Sequence, residues 1–173
     1  MPKNIFVWDI FIRIFHWALA ICFIANAFFT NPEKATHHIV GYCVAFLLGF
    51  RVVWGFIGST HAQFKNFAIS ASSSMNQVKE MLGGQAHVHA GHSPLGALMI
   101  YNFILTFMAI VISGYAMTTL YFFGVAWIED AHKMLVTWAE ISVALHVAAV
   151  LFESRRLKLN LIASMFTGHK NTL

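Results

Sequence analysis

Four of the ten histidines lie within or at the start of long apolar segments, where an ionisable side chain is costly and therefore points to a function. They are His16, His37, His132 and His146. His132 and His146 stand on one segment, and their spacing in a helix gives about 1400° of rotation, which places both on one face about 21 Å apart. Imidazole is the commonest metal ligand in proteins, so the spacing predicts two metal or cofactor sites at different depths.

The composition indicates that membrane-spanning helices carry these histidines. The chain has 173 residues, 58% of them hydrophobic and only 10% charged, with a mean hydropathy of +0.67. Four apolar segments each approach the ~20 residues that cross a bilayer as a helix. The segments are residues 8–29, 36–57, 95–120 and 131–152. We therefore expect an all-α fold, an integral membrane four-helix bundle that forms a single domain over residues 1–173.

The connections between the segments differ in character. Short loops join the first segment to the second and the third to the fourth, which makes each pair antiparallel neighbours. Residues 58–93 form a polar lid, in which a short amphipathic helix is expected to stop at Gly83 and Gly84. Ser93 and Pro94 predict the start of the third spanning helix, as its cap and its first helical residue.

The basic residues predict the orientation of the bundle. Nine fall on one side and two, Lys34 and Lys133, on the other. The nine are Lys3, Arg13, Arg51, Lys65, Lys79, Arg155, Arg156, Lys158 and Lys170. Cytoplasmic loops carry the excess of lysine and arginine, so we expect both termini and the lid in the cytoplasm. The alternative is a cleaved leader ending near residues 25–27, which the polar Asp9 and His16 argue against.

The predicted topology pairs the four histidines by depth. His16 and His146 fall on the cytoplasmic side and are called the inner pair, whereas His37 and His132 form the outer pair. Each pair comes from two helices across the bundle, which suits bis-histidine ligation of haem iron, with one imidazole on each face of the macrocycle. His38 adjoins His37, but neighbouring helical residues point about 100° apart, so only one of them can face a cofactor, and we choose His37.

Small and basic residues near the histidines are compatible with this interpretation. A small-residue stripe spaced by four from His37 allows a flat macrocycle to approach the backbone, although the same stripe also serves plain helix packing. The stripe is Gly41, Ala45 and Gly49. Three arginines at the inner surface can pair with haem propionates or anchor the chain to the cytoplasmic leaflet. These are Arg13, Arg51 and Arg155.

Other chemistries are less compatible with the sequence. A di-iron carboxylate bundle needs two Glu-x-x-His motifs, and the chain offers only the one ending at His132. Covalent c-type haem needs a CxxCH motif, which is absent from the sequence. A transition metal bound by the lid histidines is an open alternative, as is a proton relay or quinone contact at Glu140. The lid histidines are His87, His89 and His92.

Five stretches of the sequence resemble the bacterial cytochrome b561 family, and the nearest subgroup is also similar to the cytochrome b subunits of nickel-iron hydrogenases. They are VWDIFIRIFHW, HHIVGYCVAFLLGFRVVWGFIGSTHAQF, GHSPLG, EDAHKMLVTWAEISVALHVAAVLFES and NLIASMFTGHK. The resemblance runs over nearly the whole chain and is weakest in the lid.

The resemblance implies a di-haem membrane protein with two haem b groups, one on the inner pair and one on the outer pair. It supports His37 over His38, because the family's ligand stands four residues before the glycine that matches Gly41. Two departures are Lys133, where the family often has an acidic residue, and Glu140, at a usually apolar position. Lys133 at the outer mouth leaves the charge of the external partner open.

The function implied by the resemblance is transmembrane electron transfer in a respiratory chain of the bacterial inner (plasma) membrane. The expected partners are membrane lipid, a quinone or quinol, and a c-type cytochrome or dehydrogenase subunit, with no nucleic acid. One alternative is a quinone-linked oxidoreductase for superoxide or another small species, with Lys34 and Lys133 attracting the anion. Others are a haem-bearing anchor subunit of a dehydrogenase or hydrogenase complex, and a haem-free metal or proton path.

Overall fold

The computed structural model describes residues 4–67, 70–84 and 91–171. Six α-helices, one 3-10 helix and two short strands lie in these ranges. In chain order they are β1 (Asn4–Phe6), α1 (Ile10–Phe28), α2 (Ala35–Ile57), a 3-10 helix (Phe64–Asn66), α3 (Ala71–Leu82), α4 (Pro94–Ala116), α5 (Ala126–Leu157), α6 (Leu161–Thr167) and β2 (His169–Asn171).

The prediction of four spanning helices is confirmed. Helices α1, α2, α4 and α5 are long and apolar enough to cross a membrane, with mean hydropathies between 1.8 and 2.3 over their most apolar windows. Two short helices lie outside the spans: α3, which agrees with the amphipathic helix expected in the lid, and α6, which the sequence analysis did not predict. The helical state follows from the solvent: in lipid each backbone amide must find its partner within its own segment.

The helix boundaries follow local capping chemistry. The Ser93 hydroxyl accepts a hydrogen bond from the Gly96 amide at 3.1 Å, so α4 begins at Pro94 as predicted. Ser70 caps α3 through the Ser73 amide, which starts this helix before its apolar residues, and Gly83 ends it. The predicted span 95–120 ends early, at Ala116, and α5 begins before the predicted residue 131.

The turn between α4 and α5 explains why α4 stops short of the predicted residue 120. The Thr118 and Thr119 hydroxyls donate to the backbone carbonyls of Tyr115 and Ala116, which satisfies acceptors that the helix end leaves open. Gly124 then adopts a left-handed conformation with φ of 74°, which a side chain would strain.

The chain divides into two compact units, each with its own core. We call Met1–Ile14, Val53–Tyr101 and Leu145–Leu173 the first unit, and Phe15–Val52 and Asn102–Ala144 the second unit. In the second unit, all four spanning helices contribute to one cluster of buried side chains. Its members are Phe23, Val44, Leu48, Phe107 and Ala139.

A polar contact also joins α4 to α5 in the second unit. The Asn102 side-chain amide donates to Ser142 Oγ at 3.0 Å, and its carbonyl oxygen accepts from Trp138 Nε1 at 3.1 Å. Ser142 is only 3% exposed. Because hydrocarbon offers no hydrogen-bond partner, both bonds favour the packing of these two helices.

The first unit is built around the start of the chain. Val7 and Trp8 are buried, and the Trp8 indole donates to Ser164 Oγ at 3.3 Å. Strands β1 and β2 pair antiparallel, with Ile5 opposite Lys170. The Lys170 ammonium donates to the Gly91 carbonyl at 2.7 Å, and burial lowers the pKa of Lys170 to about 8.

Asp9 anchors the start of α1 in the first unit. Its Oδ1 accepts from the Ile12 amide at 2.9 Å, the geometry of a helix cap, while Oδ2 accepts from the Ser59 hydroxyl and from Trp54 Nε1. Partial burial raises the pKa of Asp9, but these hydrogen bonds together hold it below the usual value. The carboxylate thus ties the start of α1 to the end of α2 and the loop that follows.

We expect Asn102→Leu to lower the free energy of unfolding by about 1–2 kcal/mol, because it leaves the buried Ser142 hydroxyl without this donor. Reversible unfolding in mixed micelles, followed by circular dichroism, measures the change. Ser142→Ala completes a double-mutant cycle, in which the two losses should not add. Strictly additive losses would show that the bond does not stabilise the fold.

The stability of the protein should also depend on the charge of Asp9. Because the folded state favours the carboxylate, its contribution is complete above about pH 4 and is lost as the pH falls through the lowered pKa. The wild type should therefore lose stability more steeply than Asp9→Ala on acidification below about pH 4. Thermal unfolding in detergent across this range tests the expectation, and parallel pH profiles of the two proteins would contradict it.

Candidate functional site

The outer pair lies within the second unit, on α2 and α5. His37 stands two residues after the start of α2 and is half-buried, whereas the adjacent His38 is exposed. The planes of the two rings are 88° apart, so they face different surroundings. His37 is thus the more buried of the two neighbours, and its choice as the ligand stays a prediction.

A hydroxyl contacts the Nδ1 atom of each histidine in the outer pair. Thr30 Oγ1, on the loop that follows α1, lies 3.0 Å from His37 Nδ1. Ser113 Oγ, on α4, lies 2.9 Å from His132 Nδ1. Each ring is thereby held at one nitrogen, which leaves Nε2 as the nitrogen for a ligand.

Two glycines shape the surroundings of the outer pair differently. A Cβ atom added at Gly114 would lie 3.1 Å from Cε1 of His132, so a side chain there would require the ring to move back by a few tenths of an ångström. A Cβ atom at Gly41, one turn after His37, would meet nothing within 4 Å. The same is true at Gly49, so α2 borders open space at both positions.

The residues of the inner pair are placed by two different units. His16 lies on the part of α1 that belongs to the second unit, half-buried, with its ring 5.1 Å from that of Trp17. His146 lies on the part of α5 that belongs to the first unit and is also half-buried. Their assignment as a pair stays a prediction.

The three arginines differ in their surroundings. Arg51 on α2 is buried, with 4% exposure, where a guanidinium requires compensating acceptors or negative charge. Arg13 on α1 donates to the backbone carbonyl of Phe166. Arg155 near the end of α5 is exposed. Burial thus distinguishes Arg51 as the arginine best placed for a buried anion.

The remaining candidates stay predictions. His87 and His89 lie outside the described residues, and His92 packs against the rings of Trp8 and Phe67 at 4.7 and 4.5 Å. No group of three or more metal-binding side chains is found in the described ranges. Glu140 is half-buried on α5.

Thr30, Ser113 and Gly114 were missed by the sequence analysis. The Ser-Gly step inside the apolar run of α4 was a signal, because a polar residue in a span needs a partner. Thr30 carried no such signal, since it stands in a polar loop where a threonine is unremarkable. Only the folded chain brings it to His37.

Comparison with protein-family models places residues 7–168 in the family described as prokaryotic cytochrome b561. No curated protein and no solved structure matches the chain. The match covers nearly the whole length, all four spanning helices and all four histidines. The chain therefore belongs to the prokaryotic cytochrome b561 family, whose members are multi-pass bacterial membrane proteins that bind b-type haem and transfer electrons.

Proposed function

We propose that the protein transfers electrons across the membrane through two b-type haems, each held by two histidines, between the quinone pool and a redox partner on the outer side. The observation that carries the proposal is the outer pair: two histidines of the second unit, on α2 and α5, each with a hydroxyl in contact with Nδ1. The bacterial inner membrane is the proposed location, with both termini in the cytoplasm.

The second unit fits a bis-histidine haem at the outer pair. Both histidines belong to the second unit, and a hydroxyl contacts Nδ1 of each, so Nε2 is the proposed ligand atom. Open space borders α2 at Gly41, one turn from His37, and again at Gly49. Haem iron, when bound, supplies a reversible one-electron change. The histidines hold it in place, and the surrounding apolar side chains exclude water.

The inner pair and the arginines extend the same proposal to a second haem. On α5 the two histidines share one face, about 21 Å apart along the axis, which would divide the crossing into shorter steps. His16 and His146 are the proposed inner ligands. Burial favours Arg51 as the partner of a haem propionate, because a buried guanidinium pairs well with a carboxylate.

His37 and His132 would hold one haem iron and His16 and His146 the other, so neither iron would be open to oxygen or an organic substrate. The bound haems would supply one-electron transfer. The protein's own residues orient the cofactors and exclude solvent, whereas quinone and the outer partner, such as a c-type cytochrome or dehydrogenase subunit, supply and remove the electrons.

The charges near the outer pair favour electron transfer over capture of a small anion such as superoxide. Lys133 pairs with Glu129 at 2.6 Å, both side chains being more than half exposed. Asp130 adds a further acid in the same turn. Together these three side chains carry a net charge of −1, which gives no steering for an anion.

The first experiment counts the haems. The detergent-purified protein should show a b-type spectrum in a dithionite-reduced minus oxidised difference, and the pyridine haemochrome assay should give two haems per chain. His132→Ala should reduce this to one, because the outer iron loses an axial ligand. No haem after expression with added haem would overturn the proposal and favour a metal or proton path.

His38→Ala is the matched control for the outer ligands. His38 adjoins His37 on α2 but is exposed, so its removal should leave both haems in place. His37→Ala should reduce the count to one, as His132→Ala does. Loss of haem from His38→Ala, with retention of both haems in His37→Ala, would show that His38 rather than His37 is the ligand.

A further inference from the structure

Each of the two hydroxyls that contact the outer pair also has carbonyl acceptors within hydrogen-bonding distance. The Thr30 hydroxyl lies 2.9 Å from both the backbone carbonyl and the side-chain carbonyl of Asn26, to which it donates. The Ser113 hydroxyl donates within α4, to the carbonyl of Ala109 at 2.8 Å or of Ile110 at 3.1 Å. A hydroxyl has one hydrogen but two acceptor lone pairs.

The directions of the two histidine bonds depend on the tautomer of each ring. With the hydrogen on Nδ1, each ring donates to the hydroxyl oxygen, the hydroxyl hydrogen goes to a carbonyl, and Nε2 is unprotonated. This is the tautomer that an axial ligand needs, because a metal binds the unprotonated nitrogen.

We propose that Thr30 and Ser113 are positioning residues that fix the tautomer and orientation of both outer haem ligands and lower the reduction potential of that haem. The inference rests on the proposed function. An imidazole that donates from Nδ1 becomes a more basic ligand at Nε2 and favours ferric over ferrous iron. Thr30 contacts one proposed ligand of the outer haem and Ser113 contacts the other, so their effects should fall on that haem alone.

The fold places each hydroxyl by a different route. Ser113 is 8% exposed on α4, and the neighbouring Gly114 lets the His132 ring reach it. Thr30 lies between α1 and α2, held by its bond to Asn26 in the last turns of α1. One ligand is thus oriented by a helix face and the other by a loop.

The test is a potentiometric titration of the haems, with dithionite as reductant and ferricyanide as oxidant. The component lost in His132→Ala identifies the outer haem. Thr30→Val and Ser113→Ala should each shift its reduction equilibrium toward the ferrous form by up to about tenfold, equivalent to about 59 mV for one electron. The inner haem should keep its potential, and Thr30→Ser should restore the wild-type value for the outer one.

Thr137→Val is the matched control, because the Thr137 hydroxyl also donates to a carbonyl one turn back, that of Lys133, on the exposed face of α5. It should leave both potentials unchanged. Outer-haem loss in Thr30→Val but not in Thr30→Ser would support the proposal through ligand orientation. Loss in both variants, or wild-type potentials in both Thr30→Val and Ser113→Ala, would overturn it.

The outcomes separate this inference from the proposed function. A wild-type protein with fewer than two haems contradicts the two-haem relay itself. Two haems in the wild type, with an outer-haem potential unchanged by Thr30→Val and Ser113→Ala, would agree with the relay and contradict only the role of Thr30 and Ser113.

Discussion

The structure depends on one constraint: a polar group inside hydrocarbon must find its partner within the chain. The backbone meets this demand by forming α1, α2, α4 and α5. Polar side chains meet it by pairing, as Asn102 does with Ser142 and Trp138. An imidazole in a span falls under the same constraint, so a histidine there comes with a partner that also decides which nitrogen remains available.

This constraint connects stability to electron transfer in the second unit. The Ser113 hydroxyl lies within hydrogen-bonding distance of both a helix carbonyl and His132 Nδ1, so a single side chain connects α4 to the ring. Under the proposed function, this contact would hold the ligand in one orientation. The same contact that stabilises the span then supports the chemistry.

The sequence predicted the spans, the cap of α4 and the family because each depends on local signals: apolar length, Ser93 before Pro94, and motifs around the histidines. Helical geometry allowed only one of His37 and His38 to face a cofactor, and the family resemblance favoured His37, which stays a prediction. The sequence analysis extended the third span to residue 120, because hydropathy does not report the hydrogen bonds of the threonine hydroxyls that end α4 at Ala116. The contact of Thr30 with His37 crosses the turn between α1 and α2, and such a contact produces no periodic pattern in the sequence. The sequence analysis therefore missed Thr30.

The length of α5 has a consequence for how such a protein can change over time. With 32 residues, this helix is about 48 Å long, well beyond the ~30 Å of hydrocarbon, and it carries both His132 and His146. Peptide geometry within one continuous helix sets their axial separation. Insertions and deletions collect in loops, and none of them alters this distance. The loop surfaces that meet partners can therefore change in length and sequence without changing the axial spacing of His132 and His146 on α5.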